Sequence, residues 1–168
     1  MDEPLSDGNP IDFGTLPAAV NALLQQGVIA YRRDRSHADR LFRQALAADP
    51  HQLPTYFCLY KIHTYQGNLD EALAAAEAGL QEAARQAGWS TDWRNWPPQT
   101  AMPAGPERFA LYTLKALAFI HLRRNEPAHA QSLLDQLAHL DPSGTVGWPV
   151  VAELAQGLGQ APPSATRT

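Results

Sequence analysis

Apolar residues recur every three or four positions through most of the chain, and polar or conformationally special residues break that rhythm at regular places. The first stretch runs from about Pro17 through Tyr31, turns at Arg33-Asp34-Arg35-Ser36 and resumes to Ala48, with Ala38, Phe42 and Ala45 on one face. A second begins with Tyr56, Leu59, Ile62 and His63, is interrupted by Gln66-Gly67-Asn68, and continues from Ala72 to Leu80. Asn68 with Glu71 three residues on is a capping pair for that helix, and Gly88 is its expected stop. A third places Leu114, Leu117, Ala118 and His121 on one face, turns at Arg124-Asn125-Glu126, and restarts with Pro127 where a first-turn proline is tolerated. Trp148, Val151, Leu154, Ala155 and Leu158 form a last apolar stripe. The pattern predicts an all-α protein of helical hairpins closed by one further helix.

The hairpins repeat. Asp49-Pro50 and Asp141-Pro142 close the first and third; Ala38 to Ala72 is 34 residues, and Ala72 to Ala130 is 58, which is one more repeat plus an insertion of 24. These residues resemble the tetratricopeptide repeat (TPR), whose unit is a helical hairpin of about 34 residues. The family's small residue at the start of the second helix matches Ala38, Ala72 and Ala130, and its Asp-Pro terminator matches the two dipeptides above. Its first-helix leucine matches Leu59 and Leu117, and its aromatic start matches Tyr56 and Trp148. The first copy is one residue short, with Gly27 eleven positions before Ala38, and the middle copy has Ala84 where the family has its terminating proline, so that helix is expected to run on. The resemblance implies a right-handed α-solenoid over 15–158, with repeats at about 17–50, 51–88 and 107–142, a Trp/Pro-rich segment at 89–106 inside the 24-residue insertion of about 84–107, and a capping helix at 146–158. Segments 1–14 and 159–168 are expected to be disordered.

A hairpin with two apolar stripes buries both only against neighbours, and about three units are needed for stability. Of the 168 residues 45% are hydrophobic and 18% charged, which suits such a core. Thirteen Lys and Arg against 17 Asp and Glu leave a net charge of −4, opposite to the basic excess of nucleic-acid-binding domains. Cys58 is the lone cysteine, read as a buried reduced thiol, which excludes an intramolecular disulfide or a cysteine-rich zinc site. The opening Met-Asp-Glu-Pro-Leu-Ser-Asp-Gly is acidic where a signal peptide is basic then apolar, and no stretch approaches the ~18 apolar residues of a membrane span. A cytoplasmic protein acting without membrane or nucleic acid is expected.

Gly-rich phosphate loops, His-Glu-x-x-His and Gly-x-Ser-x-Gly are lacking, so no enzymatic activity, cofactor or resident metal is expected. The resemblance instead implies that the first helices line a concave groove. The matching positions carry Leu24, Val28, Tyr31 and Arg32; then Phe57, Lys61, Thr64 and Tyr65; then Tyr112, Lys115, Phe119, Leu122 and Arg123. Aromatics offer large contact area and the cations fix carboxylates, so the groove suits an acidic, partly apolar peptide or helix. The carboxylate-clamp variant needs Asn where Tyr65 and Phe119 stand, and is disfavoured. Trp89, Trp93 and Trp96 are concentrated in the insertion; a short helix capped by Ser90 or Thr91 places them on one side, either packed on the solenoid or offered to a partner. The expected function is a protein-binding scaffold: adaptor, assembly factor or chaperone. The segment around Leu114–Ile120, with Leu122-Arg123-Arg124 and Leu140-Asp141-Pro142, is similar to small repeat proteins accompanying bacterial nitrogen-fixation genes. Size and copy number are also similar to repeat-type chaperones of type III secretion. A different class, a small enzyme or metal-handling protein, would use His63 and His121, which occupy equivalent repeat positions.

Overall fold

A computed structural model describes residues 13–159; of the segments expected to lack order, all but 13–14 and 159 lie outside the described residues. The regular elements among the described residues are all helical, without a strand, in the order α1 (Ala18–Tyr31), α2 (Arg35–Ala48), α3 (Leu53–Gln66), α4 (Leu69–Ala87), a 3-10 turn (Trp93–Asn95), α5 (Gly105–Arg123), α6 (Pro127–Leu140) and α7 (Trp148–Gly159). None of these helices is long and apolar enough to cross a membrane. The chain divides into two compact units, Met1–Ala83 and Ala84–Thr168, with the boundary inside α4.

In the first unit α1 and α2 form a hairpin and α3 packs on α2. Their apolar faces meet in a core of Val20, Leu24, Val28 and Tyr31 from α1, Ala38, Phe42 and Ala45 from α2, and Cys58, Leu59 and Ile62 from α3, with Ala75 of α4 packed against it. Gly27 sits on the buried face of α1 because the Phe42 ring lies directly on the helix backbone: a Cβ at residue 27 would come 2.3 Å from that ring. The small residues Ala38, Ala72 and Ala130 are all fully buried. Asp34 caps α2 by accepting a hydrogen bond from the His37 N–H at 3.0 Å.

In the second unit α5 and α6 form the equivalent hairpin, and α7 packs on both. The core is Leu111, Leu114, Leu117 and Ile120 of α5, Leu133, Leu134, Leu137 and Leu140 of α6, with Val146 and Val151. The expected capping stripe is only partly used: Val151 is buried and Trp148 and Ala155 are half-buried, while Leu154 and Leu158 are exposed. Leu154 is turned by about 60° from Val151 around the helix, which takes it off the packed line.

Two helix ends close alike. α3 ends with Gly67 at φ 78°, the Asn68 N–H bonding to His63 O at 2.9 Å. Fifty-eight residues on, α5 ends with Asn125 at φ 63°, the Glu126 N–H bonding to His121 O at 2.8 Å. Glycine and asparagine are the residues that enter this left-handed region most readily, so one closure is written in two sequences. The Asp-Pro turns are also built alike. Asp49 accepts from the His51 N–H at 3.0 Å and Gln52 Nε2 at 2.8 Å. Asp141, only 4% exposed, accepts from the Val146 N–H at 3.0 Å and Ser143 Oγ at 3.3 Å. The aromatic that follows ties back to each turn: Tyr56 Oη donates to Pro50 O at 2.6 Å, and Trp148 Nε1 to Asp141 O at 2.8 Å.

The middle copy's second helix does run on, to Ala87, and Gly88 at φ 71° ends it. The Asn68 amide, expected to cap α4 with Glu71, reaches back to Gln66 Oε1 at 3.2 Å and His63 Nδ1 at 3.3 Å, while Glu71 pairs with Arg43.

Candidate functional site

Cations laid over aromatic rings recur on α3 and α5. On α3, Lys61 stands one helical turn from both Phe57 and Tyr65, and its Nζ lies 5.7 and 5.8 Å from the two ring centroids. All three side chains are half-buried. Burial pushes the Lys61 ammonium pKa down. Phe57 rests on the first unit's core and meets Tyr60 edge-on at 5.7 Å, so the aromatic base of this cluster is fixed by packing.

On α5, Lys115 Nζ lies 4.1 Å from the Tyr112 ring, and the exposed Arg123 guanidinium lies 5.9 Å from Phe119. Lys115 also runs close to Gly147: a Cβ there would meet its Nζ at 3.4 Å. Positions 57, 61 and 65 correspond, 58 residues on, to 115, 119 and 123, so Phe-Lys-Tyr is answered by Lys-Phe-Arg. Cation and aromatic exchange places while the mixed character is retained.

The remaining expected groove residues behave differently. Tyr31 is 4% exposed and belongs to the first unit's core, with Arg35 over its ring at 5.3 Å; Arg32, next to it, is exposed. Leu24 and Val28 are wholly core residues.

The insertion does not form the short helix expected of it. Asp92, not Ser90 or Thr91, caps a single 3-10 turn by accepting the Arg94 N–H at 3.0 Å. The three tryptophans therefore do not share a side. Trp89 and Trp96 pack together at 5.1 Å, and Trp96 is buried, its Nε1 donating to Ser90 O at 2.7 Å. Trp93 is half-buried beneath the Arg94 guanidinium at 4.3 Å. The segment is fastened to its own unit by the Gln99 N–H donating to Leu140 O at 2.9 Å and by Gln136 Nε2 reaching Trp93 O at 3.3 Å.

Each of the two equivalent histidines has a carboxylate that its spacing in the sequence did not reveal. His63 Nε2 lies 2.7 Å from Asp39 Oδ1, and Asp39 also pairs with Arg43, which pairs in turn with Glu71. Burial alone would raise the Asp39 carboxyl, but hydrogen bonds from Arg43 and His63 outweigh it and hold it below its ordinary range. His121 Nδ1 lies 3.0 Å from Glu126 Oε1, and its ring stacks on that of His129 at 5.1 Å. The Arg124 hydrogen bond, then that of His121, lowers the Glu126 carboxyl. Cys58 is fully buried, and burial drives its thiol pKa far up, so no thiolate nucleophile is available.

Compared with protein-family models, with curated proteins and with solved structures, the chain finds no match in any of the three.

Proposed function

We propose that this chain is a tetratricopeptide-repeat scaffold that binds an acidic, partly apolar peptide or helix of a partner protein and performs no chemistry on it. The observation that carries the reading is the doubled cation and aromatic cluster, Phe57-Lys61-Tyr65 on α3 and Tyr112-Lys115-Phe119-Arg123 on α5, in a chain of net charge −4. Half-buried rings give a partner's apolar side chains a desolvated seat, and the cations beside them set where carboxylates land. The matching αL closures at Gly67 and Asn125 and the matching Asp-Pro turns support the repeat reading.

The test is fluorescence anisotropy of the full chain with labelled peptides in which Glu or Asp alternates with Leu or Phe, against the same peptides with Lys at every acidic position. Binding of the acidic series alone, weakening as salt rises, is expected. Equal binding of both series, or of neither, removes the assignment.

A further inference from the structure

The end of α5, its turn and the first turn of α6 bring two imidazoles and a carboxylate into one place: His121, Glu126 and His129, whose candidate donor atoms all lie within 4.8 Å of one another. We propose that this constellation is a three-ligand binding site for a borderline-soft divalent transition cation of the Zn2+ class, exchangeable and open to solvent or an outside ligand at its remaining positions.

The donor set suits that class, since two imidazoles with one carboxylate favour zinc, copper or nickel over magnesium and calcium, which take oxygen. Bonds of about 2.0–2.2 Å to Zn2+ place tetrahedral donor atoms roughly 3.3–3.6 Å apart. His121 Nδ1 and Glu126 Oε1 are already 3.0 Å apart. His129 is exposed, and turning its ring off the His121 stack closes the distance that remains. The cation then replaces the hydrogen now held between His121 and Glu126, and binding releases any proton the ligands carry. Arg124 Nε, 2.7 Å from Glu126 Oε1, orients the carboxylate as outer-shell partners of metal ligands do. Its charge also opposes the cation, which keeps the site exchangeable.

Repeat equivalence separates this cluster from ordinary packing. Fifty-eight residues earlier, the positions of His121, Glu126 and His129 are His63, Asn68 and Glu71. There the histidine is satisfied by Asp39, and Glu71 is engaged with Arg43. A packing histidine at this position therefore needs neither a carboxylate at 126 nor an imidazole at 129. The site is independent of the partner-binding reading and stands or falls without it.

The experiment titrates the untagged full chain with ZnCl2 by calorimetry in a non-chelating buffer, and follows the histidine imidazole signals by 15N NMR in the same titration. The expected result is one equivalent of Zn2+, shifts confined to His121 and His129, and affinity reduced by at least ~10-fold in His129→Ala, whose side chain is exposed. Co2+ in place of Zn2+ should give visible d–d absorption that this variant loses. Unchanged affinity in His129→Ala, shifts at His37, His51 or His139 in place of the pair, or no binding overturns the proposal; should the variant misfold, the wild-type NMR titration decides alone.

Discussion

Replacing Gly27 by alanine sets two known effects against each other at one atom. Alanine is the better helix former by about 1 kcal/mol, so at an open site the substitution would stabilise α1. At residue 27 the new methyl meets Phe42 at 2.3 Å on Cε1 and 2.8 Å on Cδ1 and Cζ, well inside the ~3.5–4.0 Å of carbon contact. Phe42 is fully buried among Leu24, Val28, Ala45 and Ile62, so its ring has no vacant volume to enter and the backbones of α1 and α2 must part. Overpacking of this kind costs roughly 1–3 kcal/mol. The net expectation for Gly27→Ala is destabilisation of about 1 kcal/mol, or roughly 2–4 °C in melting temperature for a chain of this size. Urea unfolding followed by circular dichroism measures it, and a cycle with Phe42→Leu tests the cause. The double variant should be more stable than the sum of the singles predicts, because the smaller side chain relieves the clash. An alanine variant as stable as the parent, or strictly additive losses, would refute the direct contact between the Phe42 ring and the α1 backbone.

Asp141→Ala leaves the buried Val146 N–H without its acceptor and should cost about 1–3 kcal/mol by urea unfolding, with Asp141→Asn recovering part of it through its remaining carbonyl oxygen. The Asp39 carboxyl is lower in the folded chain than its ordinary 3.8, so its contribution is complete above that value and is lost as pH falls through the folded one. Asp39→Asn should therefore lower stability at neutral pH and shallow the loss below pH ~4; an identical acid profile would show that the Arg43 and His63 contacts contribute nothing. Cys58, buried and with its thiol pKa pushed far up, should resist aromatic disulfide reagents in buffer and react in denaturant, whereas rapid native labelling would contradict its burial.

The helices were legible because their determinants are local. The spacing of Ala38, Phe42 and Ala45, the break at Gln66-Gly67-Asn68 and the stop at Gly88 are each written within a few residues, and α2, the end of α3 and the end of α4 lie where those signals place them. The αL pair was half visible: Gly67 announces its conformation, but Asn125 discloses it only when aligned with Gly67 through the repeat. What the sequence withheld is long-range. Asp39 meets His63 across 24 residues, and nothing local distinguishes it from a solvated helix acid. Glu126 and His129 lie within eight residues of His121, yet a turn separates them, and periodicity along one helix does not read across a turn. The insertion misled for a different reason. A 3–4 spacing of tryptophans is meaningful only on a helix, and the prolines at 97 and 98 with the Asp92 cap leave a single 3-10 turn. Tyr31 looked like a groove residue by register, but the missing residue in the first hairpin's turn makes register a weak guide there, and its ring is in the core.

The central claim is that these cation and aromatic clusters recognise acidic partner segments, and charge reversal of the two cations on α5 tests it most directly. Lys115→Glu with Arg123→Glu alters one half-buried and one exposed side chain, neither of them in the core, so the thermal melt by circular dichroism should change little. Anisotropy with the acidic, apolar peptide series at low and at physiological salt should show association reduced, by the larger factor at low salt, where the screening length exceeds its physiological ~8 Å. Binding as tight as the parent's at both salts, with the melt unchanged, would contradict the account.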